Sequence, residues 1–161
     1  MLESEILDLF DQYSGMVYRI AVSYFRHAQD AEDTVQAVFL KLLEGNALPI
    51  PGKERAFLTR ITVNHCKDAL RSVWKLRKPL DDAIVFEQKE DRELFNAVTA
   101  LPVKFRIAVY LHYYEGYTFP EIAGFLKISP SAVSMRIHRA RKILKDKMRE
   151  DNYGIRFQAD I

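Results

Sequence analysis

The sequence predicts an all-α protein of two small helical domains joined by a flexible linker, the second domain containing a helix-turn-helix. Three observations carry this reading. Apolar residues recur at three- and four-residue spacing through most of the chain, as in Val133, Ile137, Ala140 and Leu144, and this is the period of a helix with one buried side. Two helix-start signals stand close together, at Thr118 and Ser129. Between Lys78-Pro79 and Lys89 the period fails and acids gather (Asp81, Asp82, Glu87), which is the composition of a linker. The domains are therefore expected at 1–78 and 91–150, with the linker at 79–90 and a short tail at 151–161.

Taken in order, residues 4 to 26 place Leu9, Phe10, Tyr13, Val17, Ile20, Ala21, Tyr24 and Phe25 near the helical period, and Gly15 is a candidate bend. Asp30 is expected to cap the next helix, with acids at its positive end and Val35, Val38, Phe39 and Leu42 inside. Gly45 is its natural stop. Asn46 to Gly52, with two prolines, reads as a loop. A helix from about Glu54 to Trp74 turns Leu58, Ile61, His65 or Cys66, Ala69 and Val73 inward. Helicity resumes near Asp91 with Leu94, Phe95, Val98 and Leu101 as a face. Pro102 opens a helix whose core side includes Phe105, Ala108, Val109, Leu111, His112 and Tyr113, and Glu115-Gly116 ends it. Thr118-Phe119-Pro120-Glu121 is a capping box with Pro in the first turn, leading into Ile122, Phe125 and Leu126. Ser129-Pro130 starts the last helix.

Composition narrows the classes of function. A chain of 161 residues with 48% hydrophobic content can bury a core. The net charge of +2 conceals segregation along the chain. Residues 1–50 carry eight acids against three Lys/Arg, and residues 53–78 carry eight Lys/Arg against two acids. Acids again predominate at 79–126, and from Lys127 to Arg149 eight Lys/Arg face one acid, Asp146. Two basic blocks set among acidic ones suggest two separate nucleic-acid contacts. The single cysteine, Cys66, excludes an internal disulfide and suits a reducing cytoplasm as core filler. No apolar run approaches the roughly 18 residues of a membrane span, and the acidic start (Glu3, Glu5, Asp8) is unlike a signal peptide. A cytoplasmic protein without membrane insertion is expected. There is no Gly-rich phosphate loop, no nucleophile beside a base and no ligand set at metal spacing, so no catalytic residue, metal or cofactor is assigned. His112, on an apolar face, reads as a packed histidine.

Binding faces are more legible than chemistry. Two capped helices joined by about three residues form a helix-turn-helix, whose second helix enters the major groove. Its outward positions include Ser131, Ser134, Met135, Arg136, His138 and Arg139, followed by Arg141, Lys142, Lys145, Lys147 and Arg149 where phosphates would lie. Earlier in the chain, Arg60, Asn64, Lys67, Arg71 and Lys75 make one polar stripe on the helix after the loop. An Asn among cations suits a helix lying on DNA, since Asn can read a base while cations hold phosphates. Asp33, Gln36 and Leu40 form a mixed strip that could meet a partner helix.

The order of these elements resembles the extracytoplasmic-function sigma factors of bacterial RNA polymerase over roughly Leu9 to Arg149. The run Asp30 to Leu40 (DAEDTVQAVFL) looks like that family's polymerase-binding helix, and Ala56 to Asn64 (AFLTRITVN) resembles its minus-ten helix. Leu101-Pro102 through Tyr114-Glu115-Gly116-Tyr117-Thr118, then Glu121-Ile122-Ala123 and Arg136 to Arg141 (RIHRAR), is similar to its minus-thirty-five domain. Ala37 stands where the family usually has an acid, Phe57 where Trp is common, and Lys127 and Ser131-Ala132 replace glycine-containing turns. The resemblance implies that Asp33 and Gln36, with Phe39 and Leu40, contact the clamp of core RNA polymerase. It implies that the loop Asn46 to Lys53 holds a flipped base, and that Arg60, Asn64, Lys67 and Arg71 line the strand-opening face. Ser131, Ser134, Arg136, His138, Arg139 and Arg141 would meet the minus-thirty-five element. Core polymerase, promoter DNA and an anti-sigma protein are the implied partners. A stand-alone helix-turn-helix regulator, a DNA-processing enzyme and a non-initiating polymerase adaptor remain as alternative readings.

Overall fold

The structure, a computed structural model, describes residues 2–45, 48–71 and 96–150, with side chains as far as Lys147. All regular structure among the described residues is helical. The chain divides into two compact units, Met1–Ile84 and Val85–Ile161. The linker at 79–90, the tail after 150, and Val73, Trp74, Lys75, Leu94 and Phe95 lie outside the described residues.

Unit 1 is built from α1 (Glu3–Phe25), α2 (Ala28–Leu43) and α3 (Glu54–Ala69). Helix α1 runs unbroken through Gly15. A mid-helix glycine costs about 1 kcal/mol relative to Ala, and burial of Leu9 on one side of it and Met16, Val17 and Ile20 on the other outweighs that preference. At its end Arg26 takes the left-handed conformation, φ 62°, and its N–H donates to the Val22 carbonyl at 2.8 Å. The turn is so short that α2 begins at Ala28, not at Asp30 as the sequence suggested. His27 occupies the cap position without a side-chain bond, and Ala31 N–H closes the first turn on the His27 carbonyl at 3.1 Å. Asp30 is thus the third helical residue and is buried. Gly45, with φ +71°, ends the helix as expected, its N–H donating to the Leu42 carbonyl at 3.1 Å.

The inward side of α3 is Leu58, Thr59, Thr62, Val63 and Cys66, whereas Ile61, His65 and Ala69 are half-buried. Leu58 and Cys66 are inside as expected, while Thr59, Thr62 and Val63 take the places expected of Ile61 and Ala69. Two threonines can enter the core because their hydroxyls are satisfied locally: Thr59 Oγ1 donates to the Arg55 carbonyl at 3.0 Å and Thr62 Oγ1 to the Leu58 carbonyl at 2.6 Å. A buried hydroxyl with a partner loses most of its desolvation penalty. Thr59 Oγ1 also reaches Met16 Sδ of α1 at 3.7 Å.

In unit 2, residues 96–99 are helical, followed by α4 (Val103–Val109), a π-helical turn (Tyr110–Tyr114), α5 (Phe119–Leu126) and α6 (Pro130–Glu150). The wider turn, absent from the sequence reading, lets Glu115 N–H reach back five residues to the Tyr110 carbonyl at 3.2 Å, and Tyr110 stacks on Tyr114 with ring centroids 5.5 Å apart. Tyr110 Oη donates to the Glu115 carboxylate. Gly116, φ +75°, then turns the chain. His112 is half-buried, its Nδ1 2.9 Å from the Tyr117 carbonyl and its ring against Phe119 at 4.8 Å, as a packed histidine should be.

A second polar residue in this core was not foreseen. Arg106 is only 3% exposed. Its Nη1 donates to the Leu101 carbonyl at 2.8 Å and the Thr99 carbonyl at 3.3 Å, tying off the end of the 96–99 helix with a charge-assisted donor. Replacing it by Met keeps much of the volume and strips both carbonyls of that donor. Arg106→Met is expected to destabilise the protein by about 2–3 kcal/mol, read as a lower urea midpoint at unchanged slope. An unchanged midpoint would show that the two carbonyls do not depend on it.

Candidate nucleic-acid interface

The α5–α6 pair is positioned by its caps. Glu121 N–H donates to Thr118 Oγ1 at 3.3 Å while Thr118 N–H donates to Glu121 Oε1 at 3.0 Å, closing the expected capping box. Helix α5 ends at Lys127, a non-glycine residue in the left-handed conformation, φ 58°. Ile128 N–H bonds the Ala123 carbonyl at 3.1 Å. Ser129 Oγ then accepts from Ala132 N–H at 3.1 Å and lies 3.1 Å from Ser131 Oγ. Val133, Ile137, Ala140 and Leu144 are all buried, so the rotation of α6 is fixed and its other side is presented outward.

On that outward side Ser131, Ser134, His138 and Arg139 are exposed, as are Met135, Lys142 and Lys145; Lys147, also exposed, continues the line of the stripe near the end of the helix. Arg136 and Arg141 are half-buried at its margins. A row of cations beside short polar side chains can bind phosphate oxygens and leave the central positions for base edges.

In unit 1 the polar stripe of α3 stays together. Arg60 is exposed and Asn64 and Lys67 half-buried, and at 100° per residue these three fall within about 60° of the helix circumference; α3 ends at Ala69, short of the Trp74 that the sequence suggested, so the exposed Arg71 stands in the turn beyond the helix. Arg71 Nη2 lies 3.9 Å from Asp68 Oδ1, both side chains well exposed, a pair too solvated to hold the arginine away from another anion. The preceding loop shows Leu48 and Ile50 to solvent while Pro49 is buried.

On α2, Asp33 and Gln36 are exposed, and Leu40 is 52% exposed. Asp33 Oδ1 accepts from Gln29 Nε2 at 3.0 Å. Phe39, expected on the same strip, is 5% exposed and packs edge-on against Phe10 at 5.1 Å. Neighbouring residues on a helix point about 100° apart, so Phe39 belongs to the buried stripe with Val38 and Leu42 and not to the exposed strip of Leu40. Sequence reading passed over Leu7 and Leu43, both exposed. Leu43 stands three residues after Leu40, and its place off the buried stripe was the available signal. Among the described residues no cluster of His, Cys, Asp or Glu could hold a metal ion, and no helix is long and apolar enough to cross a membrane.

Comparison with known proteins gives the same division. The family model for Sigma-70 region 2 matches residues 9–76, and that for Sigma-70 region 4 matches residues 91–144. The chain is 30% identical to the RNA polymerase sigma factor CarQ of Myxococcus xanthus over 154 residues, covering 89% of this chain and 88% of CarQ. It is also 30% identical to the ECF RNA polymerase sigma factor SigE of Mycolicibacterium smegmatis over 153 residues, covering 86% of this chain and 60% of SigE. In fold it is similar to the sigma factor RpoE of Bartonella quintana, solved in complex with the anti-sigma factor NepR, with a TM-score of 0.76 at 17% identity over 90% of this chain and 97% of that one.

The Ser129 cap is open to direct test. Ser129→Ala is expected to cost about 1 kcal/mol of stability and to accelerate hydrogen exchange at the Ala132 amide. An unchanged exchange rate there would show that the hydroxyl does not cap α6.

Proposed function

Since the chain belongs to the extracytoplasmic-function sigma factors of RNA polymerase, we propose that it binds core polymerase, recognises a minus-ten and a minus-thirty-five promoter element, and directs the start of transcription in the cytoplasm. The observation that carries this reading is the pair of outward basic faces, one on α3 in unit 1 and one on α6 in unit 2. A stand-alone regulator needs only one of them.

Each face has its own task. Asp33, Gln36 and Leu40 on α2 dock on the polymerase, the polar pair setting orientation and the exposed leucine leaving water. Arg60, Lys67 and Arg71 hold phosphates of the minus-ten strand, and Asn64 among them offers both a donor and an acceptor to a base edge. A base drawn out of the stack, at a cost of a few kcal/mol, is received by the loop before α3. Ser131, Ser134, His138 and Arg139 face the minus-thirty-five bases, with Arg136 and Arg141 at the edges of the groove. No bond is made or broken by this chain: it positions DNA for the polymerase, which supplies the chemistry. An anti-sigma protein is the matching regulator, covering the docking strip of α2 until a signal releases it.

Mixing the chain with bacterial core polymerase and a genomic fragment library, then sequencing transcript 5′ ends, tests the reading. Discrete start sites that share two upstream elements are expected, and transcripts with no shared element would overturn it. Within that system Lys142→Ala is expected to weaken promoter binding evenly across sequences and to lower the log–log salt slope by about one. A loss confined to one promoter sequence would assign Lys142 to base reading.

A further inference from the structure

One large apolar side chain stands at the centre of the face that α6 turns outward. Met135 is 54% exposed, the sixth residue of the helix. At 100° per residue it lies almost opposite the buried stripe of Val133, Ile137, Ala140 and Leu144. Its exposed neighbours on the same face are Ser131, His138, Arg139 and Lys142, all polar. Nothing in the packing of unit 2 needs a methionine there, and the two serines nearby are too short to fill a groove. In a helix-turn-helix the N-terminal turns of the second helix approach the base edges, and Met135 lies in the second turn.

We propose that Met135 is a specificity-determining residue that selects a thymine in the minus-thirty-five element, its thioether methyl packing on the pyrimidine 5-methyl group in the major groove. The inference rests on the sigma-factor reading above and deepens it. Among the four bases thymine alone presents a methyl group to that groove, and apolar side chains are its ordinary readers. A methionine suits the task because it is unbranched and polarisable and adapts to the local surface. The flanking Lys142 fixes the register through a phosphate, so the methyl contact meets one base pair rather than sliding among several.

The test uses the promoter obtained from the transcript sequencing, the chain and core polymerase. Each thymine of the minus-thirty-five element is replaced in turn by uracil, which keeps the pairing and removes only the methyl group. At one position the replacement is expected to lower promoter-complex formation about fourfold, the weight of one methyl group leaving water. Met135→Ala should bind the thymine and uracil promoters alike at that position, and respond as the unaltered chain does at every other. Alanine is a strong helix former, and equal co-migration of both proteins with core polymerase checks that the variant is intact. An element without thymine, no thymine sensitive to the replacement, or the same sensitivity in both proteins would overturn the inference and leave the sigma reading standing. Absence of discrete start sites would sink both.

Discussion

The angle between α5 and α6 depends on three residues, Lys127 to Ser129. Lys127 turns the chain in a conformation that glycine adopts more easily, Ile128 N–H locks the end of α5, and Ser129 caps α6. A left-handed non-glycine residue carries a modest strain of about 1 kcal/mol. The buried stripe of α6 supports it: with Val133, Ile137, Ala140 and Leu144 all in the core, the helix has one rotation that hides them. That rotation decides which side chains α6 turns outward.

Unit 1 solves a related problem with different means. Its helices present distinct surfaces because each has only one side to bury. Helix α2 buries Ala31, Thr34, Val38, Phe39 and Leu42 and leaves Asp33, Gln36 and Leu40 outside, while α3 buries Leu58 and two threonines and leaves a cationic stripe. A mixed polar and apolar strip suits a protein partner, and a cationic stripe suits phosphate. Both surfaces belong to one small unit, so the mixed strip of α2 and the cationic stripe of α3 are held in fixed relation by the core of α1, α2 and α3.

Much of this was legible in the sequence, and the failures have physical causes. Three caps and one narrow stripe were legible because they are local: Thr118 with Glu121, Ser129 with Pro130, Gly45, and the four-residue stripe of α6; Asp30 was not, because the turn after Arg26 is so short that α2 starts two residues before it. Phe39 was assigned to two faces at once, and geometry allows one. Thr59 and Thr62 were missed as core because a hydroxyl reads as polar until its bond to the carbonyl four residues back is seen. Arg106 was missed for the same reason on a larger scale: its partners, Thr99 and Leu101, lie across a helix boundary that a periodic pattern does not cross. The π-helical turn at Tyr110 had no signal in the 3.6-residue period, which it breaks.

Charge completes the picture. The net charge of the chain is nearly balanced at +2, so the whole molecule is not a general polyanion binder. Its first fifty residues are acidic and repel phosphate, which leaves α1 and α2 available to protein. The positive field is confined to the segments that carry α3 and α6, and within a Debye length of about 8 Å at physiological salt each segment acts on DNA locally. Each basic face can be satisfied only by phosphates close to it, so charge that attracts DNA also orients the unit that carries it. Two separate basic faces of this kind suit a protein that meets DNA at two places, as two promoter elements would offer.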